Sequence, residues 1–289
     1  MRRRELIAAV SALVAAPAAF AQNAGPLTVR YARAPGVAAD LQSLDVYGAA
    51  AGKARPIMAF IHGGGWAFGD KANPQQGRDK AAAFTRRGFV YATLNYRLSP
   101  AAKHPEHVQD VAAAIAWLHK NASTIGGDPN RLYVMGHSAG AHLAALVATD
   151  ERRLAAHGLP LSAIKGVVPL DGAGYDLTVE APLAISQGGM LGLWYRDAFG
   201  SAPAGWADAS PLFHVAPEKA IPPFLLVHAA RPDAVTQSRA LAAALRAAGG
   251  QAETLLTPKQ GHNQINRQFG RSGDMVTQHV MAQLQAWGA

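Results

Sequence analysis

Cysteine is absent from all 289 residues, so the fold holds without disulfides and thiol catalysis is excluded. Charge is also scarce. Asp, Glu, Lys and Arg make up 16% of the chain against 49% hydrophobic residues, which excludes a disordered polyelectrolyte and leaves material for a large core. After the N-terminal segment no run of 18 uninterrupted apolar residues occurs, so stable membrane insertion is not expected. The 29 glycines and 18 prolines are scattered as turn punctuation, and no repeat of fixed period is present, which argues against solenoids. The balance of charge is basic, at +8. Its lysines and arginines nevertheless form only short clusters such as Arg86-Arg87 and Arg152-Arg153, without an aromatic-interleaved stripe. Nucleic acid is therefore not an expected partner.

The first residues read as an export signal. Arg2, Arg3 and Arg4 precede an apolar stretch from Leu6 to Phe20, and Ala19-Phe20-Ala21 supplies a small-x-small cleavage site. Arg3-Arg4-Glu5-Leu6-Ile7 also fits the twin-arginine pattern loosely, so the export route stays open. Removal of residues 1–21 takes away three arginines and Glu5, leaving a mature chain of charge +6. Residues 22–289 are expected to form one exported domain, periplasmic or extracellular.

Along that domain the hydrophobic rhythm changes. Short strand-like runs, "LTVRYAR", "LQSLDVYG" and "RPIMAFIHGGG", suggest a small antiparallel start. From Arg78 onward, helical stretches alternate with apolar strands: "RDKAAAFTRRG", "FVYATLNY", "HVQDVAAAIAWLHKNA", "RLYVMG", "IKGVVPLDG", "PPFLLVHAA", "ETLLTP". Such alternation predicts an α/β fold with a mainly parallel sheet covered on both faces. Residues 171–220 interrupt it with an irregular insert rich in Gly, Pro and Trp, a length that suggests a lid or pocket wall.

Two motifs carry chemistry. Gly136-His137-Ser138-Ala139-Gly140 matches G-x-S-x-G between a strand and a helix, where small neighbours let a serine hydroxyl stand out on a strained turn. "IHGGGW" (Ile61 to Trp66) places three glycines after a strand, so that Gly64 and Gly65, with Ala139, are candidate N–H donors to a developing oxyanion. A serine nucleophile needs a base. His262, in the late turn "KQGHNQ", fits the chain order Ser, acid, His. For the acid, Asp233 in "HAARPDAVTQS" is favoured, with Asp171 in "VVPLDG" as its rival and a Pro-Asp turn or helix N-cap as the plainer role for Asp233.

Other features have structural explanations. The His104-Pro105-Glu106-His107 spacing is not that of a zinc helix, so no metal site is expected. Asp110 reads as a structural polar group, Asn121-Ala122-Ser123 fits a glycosylation triplet, and Trp66, Trp194, Tyr195 and Trp206 either line a pocket or pack the core.

"IHGGGW", "LNYRLSP", "GGDPNRLYVMGHSAGAHLAAL", "PPFLLVHA" and "KQGHNQ" together resemble the α/β-hydrolase superfamily, in particular H-G-G-G carboxylesterases related to hormone-sensitive lipase and bacterial feruloyl-esterase-like enzymes. The resemblance implies a cofactor-free serine hydrolase of small or aromatic esters, with Ser138 as nucleophile, Asp233 as acid, His262 as base, and the Gly64 and Gly65 amides in an oxyanion hole. An arylformamidase, an amidase or an inactive exported binding protein would use the same scaffold. The acid loop departs from the family pattern, with Ala229 where glycine is common and no proline after Val235. No long helical cap precedes the first strands.

Overall fold

The computed structural model describes residues 25–75, 78–172 and 174–289. The expected leader at 1–21 lies outside them. An eight-stranded sheet forms the centre, built from β1 (Leu27–Arg30), β2 (Ser43–Tyr47), β3 (Arg55–Ile61), β4 (Val90–Leu94), β5 (Gly127–His137), β6 (Ile164–Leu170), β7 (Phe224–Ala229) and β8 (Ala252–Thr257). Its spatial order is β1-β2-β4-β3-β5-β6-β7-β8. The pairs β1/β2 and β2/β4 are antiparallel, and every later pair is parallel. The expected antiparallel start and parallel body are both present.

Among the described residues ten α-helices connect or cover the strands: α1 (Arg78–Thr85), α2 (Glu106–Lys120), α3 (Ala139–Thr149), α4 (Glu151–Ala155), α5 (Leu177–Gln187), α6 (Gly189–Phe199), α7 (Pro203–Asp208), α8 (Pro232–Ala247), α9 (His262–Gln268) and α10 (Met275–Ala286). Alternation along β3 shows why two layers are needed. Ile57, Ala59 and Ile61 belong to one core with α2, α3 and α8, whereas Met58 and Phe60 belong to another with α1, α9 and α10. Strand side chains point alternately to opposite faces, so an apolar run without alternation must be covered on both.

Parallel register brings the functional loops to one edge. Ile61 lies beside Gly136, His137 beside Leu170, and Leu170 beside Val227. The segments leaving β3, β5, β6 and β7 therefore emerge together at the carboxyl ends of the strands, where open α/β sheets place their ligands. Insert 171–220 leaves from the same edge and contains α5, α6 and α7, so it is helical rather than irregular.

Candidate active site

Ser138 connects β5 directly to α3 with φ 57° and ψ −121°. That backbone conformation costs a non-glycine residue about 1–3 kcal/mol. Among the described residues, Trp66, Asp171 and Glu218 are the other non-glycines with positive φ, so three of the four lie at this edge of the sheet. The turn is tight enough to dictate its neighbours. A Cβ at Gly136 would overlap the Gly140 carbonyl, and one at Gly140 would overlap the Ile61 carbonyl. The Ser138 N–H is fixed by donation to Leu170 O at 3.0 Å.

His262 reaches the serine from the first turn of α9. Its Nε2 is 3.1 Å from Ser138 Oγ, and its Nδ1 is 2.6 Å from Asp171 Oδ2. With Asp171 holding a proton on Nδ1, Nε2 is left as the acceptor facing the hydroxyl. His262 opens a short helix of its own, ahead of the terminal helix α10. Gly261 N donates to Gln264 Oε1 at 2.8 Å and ties down the start of that helix.

The acid beside the imidazole is Asp171, and Asp233 is not brought to it. Asp171 ends β6 in a positive-φ bend and has no solvent exposure. Its Oδ1 accepts from Ala229 N at 2.7 Å, and its Oδ2 accepts from His262 and, at 3.3 Å, from Arg231 Nε. Burial pushes this carboxyl up, but those donors and the Arg231 charge outweigh it and hold it below the usual carboxylate range. Asp233 instead occupies the first turn of α8, where the helix N-terminus favours a carboxylate, and pairs with Arg231 Nη1 at 2.9 Å. Pro232 at the head of that helix draws the chain into α8 before Asp233 can approach the imidazole.

The glycine loop runs against the serine turn. A Cβ at Gly63 would lie 2.8 Å from His137 O and 3.0 Å from Ser138 Cβ. Gly64 and Gly65 have φ of 116° and 59°, and among the described residues their N–H groups donate to no acceptor. Ala139 N–H, at the first position of α3, belongs to the helix end that has no intrahelical acceptor. These donors favour negative charge beside Ser138. Surrounding residues fix the loop. Tyr96 OH donates to His62 O at 3.2 Å, Trp66 O accepts from Ser99 N at 2.9 Å, and Asn95 Oδ1 accepts from Lys71 N at 2.6 Å. Much of "LNYRLSP" thus serves to brace this loop, while Arg97 turns away to Asp110. Asp110 is structural, as expected.

Two histidines contribute in ways their positions in the motif did not indicate. His137 is fully buried beside the His262 ring, with centroids 4.7 Å apart, and its Nε2–H donates to His262 O at 3.0 Å. Burial, reinforced by the neighbouring His262, pushes its pKa down to about 3, so it is a neutral strut. His142 accepts from Trp66 Nε1 at 3.3 Å through Nδ1 and donates to Ala209 O at 2.8 Å through Nε2, joining the glycine loop, α3 and the insert. Of the four aromatic residues considered above, Trp66, Tyr195 and Trp206 are buried packing groups. Trp194 is half-buried with its ring against Gly65 and edge-on to Phe68 at 6.0 Å. Exposed Phe68, Leu183, Leu191 and Leu193 extend the apolar character of this region.

The remaining candidates are absorbed into the fold. His104 Nε2 meets Asp208 at 2.8 Å and His107 Nε2 meets Ser99 Oγ at 3.0 Å, while Asn121 Nδ2 donates to Trp117 O. Among the described residues no group of three metal-ligating side chains occurs, and no helix is long and apolar enough to cross a membrane.

Comparison with known proteins agrees with this architecture. The family model described as BD-FAE matches residues 44–245. Esterase LipQ of Mycobacterium tuberculosis is 33% identical over 206 residues, covering 69% of this chain and 48% of that protein. Esterase LipC of the same organism is 32% identical over 243 residues, covering 80% and 58%. The isoprenylcysteine alpha-carbonyl methylesterase ICME of Arabidopsis thaliana is 30% identical, covering 73% and 51%. The chain spans about half the length of these curated relatives. Among solved structures, esterase B from Lactobacillus rhamnosis superposes with a TM-score of 0.72 at 22% identity, covering 91% of this chain and 86% of that one. A hyperthermophilic esterase from Pyrobaculum calidifontis gives 0.69 at 25% identity, covering 84% and 79%. The sheet order, the serine turn and these similarities lead to one conclusion: the chain has the α/β-hydrolase fold and belongs to the BD-FAE family.

Proposed function

We propose that this protein is a serine carboxylesterase acting on small-molecule esters of short or aromatic acids. One observation carries the reading, the continuous chain Ser138 Oγ, His262, Asp171 at the edge where the glycine loop meets α3. His262 Nε2 accepts the Ser138 proton as Oγ attacks the ester carbonyl, and the tetrahedral oxyanion lies against the N–H groups of Gly64, Gly65 and Ala139. His262 then protonates the departing alcohol. Water, deprotonated by the same base, cleaves the acyl-enzyme and regenerates the serine. Asp171 keeps the imidazole in the productive tautomer and stabilises its cation without taking the proton.

Esterase relatives support ester rather than amide cleavage. The half-buried Trp194 at Gly65 supports an apolar or aromatic substituent beside the carbonyl. Purified protein should hydrolyse p-nitrophenyl butyrate and label with a fluorophosphonate, and Ser138→Ala should abolish both. Hydrolysis by Ser138→Ala at the wild-type rate would refute the assignment. Rapid turnover of aryl formamides with negligible ester cleavage would shift the reaction to arylformamidase chemistry.

The basic, apolar, small-x-small order of residues 1–21 supports export to the periplasm or the medium, with Gln22 as the mature N-terminus. N-terminal sequencing of the protein recovered from a bacterial periplasm tests this; an intact Met1 in a cytosolic fraction is the contrary result.

A further inference from the structure

Asp171 is shared. Its Oδ2 receives the His262 Nδ1–H and also Arg231 Nε at 3.3 Å. The same guanidinium uses Nη1 to hold Asp233 at 2.9 Å. Arg231 and Asp233 are each about one third exposed, at 38% and 35%, whereas Asp171 is wholly buried. The loop after β7 therefore presents a cation to the acid, with a carboxylate behind it.

We infer that Arg231 is a positioning residue for this site: clamped by Asp233, it orients the Asp171 carboxylate and offsets part of its charge, and so sets how firmly the acid holds protonated His262. The inference rests on reading Ser138, His262 and Asp171 as nucleophile, base and acid.

Three observations support it. First, a carboxylate with no exposure requires several donors, and the Ala229 N–H and the imidazole leave one flank of Oδ2 for Arg231. Second, the bond to Asp171 comes from Nε and the bond to Asp233 from Nη1, so the planar guanidinium spans both carboxylates in a way an ammonium does not. Third, the arginine precedes the helix that begins at Pro232, whose fixed φ limits the freedom of this corner.

Other titratable groups lie around the His262, Asp171, Arg231 and Asp233 cluster. His137, from the end of β5, is buried and neutral against the His262 ring. Lys80, on α1, is buried and bonded to Asn266 O, with its pKa lowered to about 7 by burial, and its charge acts on His137. Glu180, on α5, has its carboxyl pushed up by burial and by Asp233. Tyr175, and Tyr195 on α6, are buried phenols whose pKa values burial raises. None of these groups bonds to Asp171 as Arg231 does.

The signs of the expected effects follow from charge. Removing the cation makes the imidazolium easier to form, so Arg231→Ala should move the acid limb of kcat/KM to higher pH. Removing the anion behind it should do the reverse, so Asp233→Asn should move that limb to lower pH. Because both side chains are partly exposed and screened, each displacement should be about half a pH unit and should shrink in 1 M salt. Arg231→Lys keeps the charge but not the fork. It should hold the acid limb near its wild-type position while lowering kcat by roughly threefold to tenfold.

The test is the pH profile of p-nitrophenyl butyrate hydrolysis for the wild type and the three variants at low and high salt. Opposite displacements for Arg231→Ala and Asp233→Asn are the expected result. Displacements in the same direction, or none, overturn the inference, since a merely structural bridge predicts equal loss of activity without a directional shift. Should Arg231→Ala fail to fold, Asp233→Asn and Arg231→Lys still decide the matter. Wild-type activity in Ser138→Ala would instead overturn the underlying reading, so the two failures are distinguishable.

Discussion

His262 Nδ1 lies 2.6 Å from Asp171 Oδ2, while Asp233 on the neighbouring helix faces Arg231. The two carboxylates therefore have unequal consequences. Asp171→Asn should lower kcat by about 10⁴-fold, because the amide turns the imidazole to the wrong tautomer. Asp233→Asn should stay within about tenfold of the wild type. Initial rates on p-nitrophenyl butyrate check both, and the reverse ranking would assign the acid to α8.

The serine turn has no space for side chains at its two glycines. Gly140→Ala drives a methyl group into the Ile61 carbonyl, a backbone atom of a buried strand. Overpacking of this kind costs about 1–3 kcal/mol, which lowers the melting temperature of a domain this size by several degrees. Calorimetry of Gly140→Ala checks this, with Gly205→Ala as the control, since that helical glycine also lacks a positive φ but meets only Phe199 O at 3.4 Å.

His137 should act on rate through the backbone of its neighbour. His137→Phe keeps the buried ring but loses the bond to His262 O. A fall in kcat of about tenfold with little change in KM is expected, since the bond positions the base and does not touch substrate. A change confined to KM would place His137 in substrate binding instead.

Four buried histidines make the fold acid-sensitive. Burial lowers His62 to about 4 and His107, His137 and His142 to about 3. Their folded pKa values lie below the unfolded value near 6.5, so the unfolded chain binds more protons between about pH 3 and 6.5. Their contribution to stability is complete above pH 6.5 and is lost as pH falls, by up to about 1.4 kcal/mol per pH unit for each imidazole. Urea midpoints at pH 8, 7, 6 and 5 should be flat at first and then decline steeply. His107→Gln should lessen the decline, and an unchanged slope would assign the acid sensitivity elsewhere.

The pocket wall is testable through substrate length. Trp194 packs on Gly65, whose N–H is a proposed oxyanion donor. Trp194→Ala should raise KM for aryl and butyryl esters severalfold while changing acetate esters less. Equal losses for both substrate types would indicate that the indole supports the loop without sorting substrates.

The sequence made some of this legible and concealed the rest for identifiable reasons. Ser138 and its glycines form a local steric pattern, which five consecutive letters display. His262 is legible through chain order and its place after a strand, which parallel topology preserves. Asp171 stands second to Asp233 on sequence alone, because nothing local distinguishes the ends of β6 and β7. That choice depends on the bend at Asp171 and on Pro232 starting α8, both tertiary outcomes. The bond from His137 to His262 joins residues 125 positions apart. Helices α5 and α6 were hidden by Pro182 within one and by the Gly188-Gly189 break between them, the residues that sequence patterns treat as loop signals.

Insert 171–220 departs from the acid itself and is fastened on both sides. Asp176 N donates to Gln237 Oε1 at 2.7 Å, Leu177 N to Ser210 Oγ at 2.8 Å, and Leu212 N to Tyr175 O at 3.0 Å. Segments 175–177 and 210–212 thus form a buckle that closes the neck of the cap. Distal to it, α5 to α7 stay rooted in the scaffold, through Tyr195 and Phe199 against Trp66 and through Asp208 against His104. A foreign hairpin spliced between the two seams would therefore loosen the glycine loop as well as reshape the entrance above it.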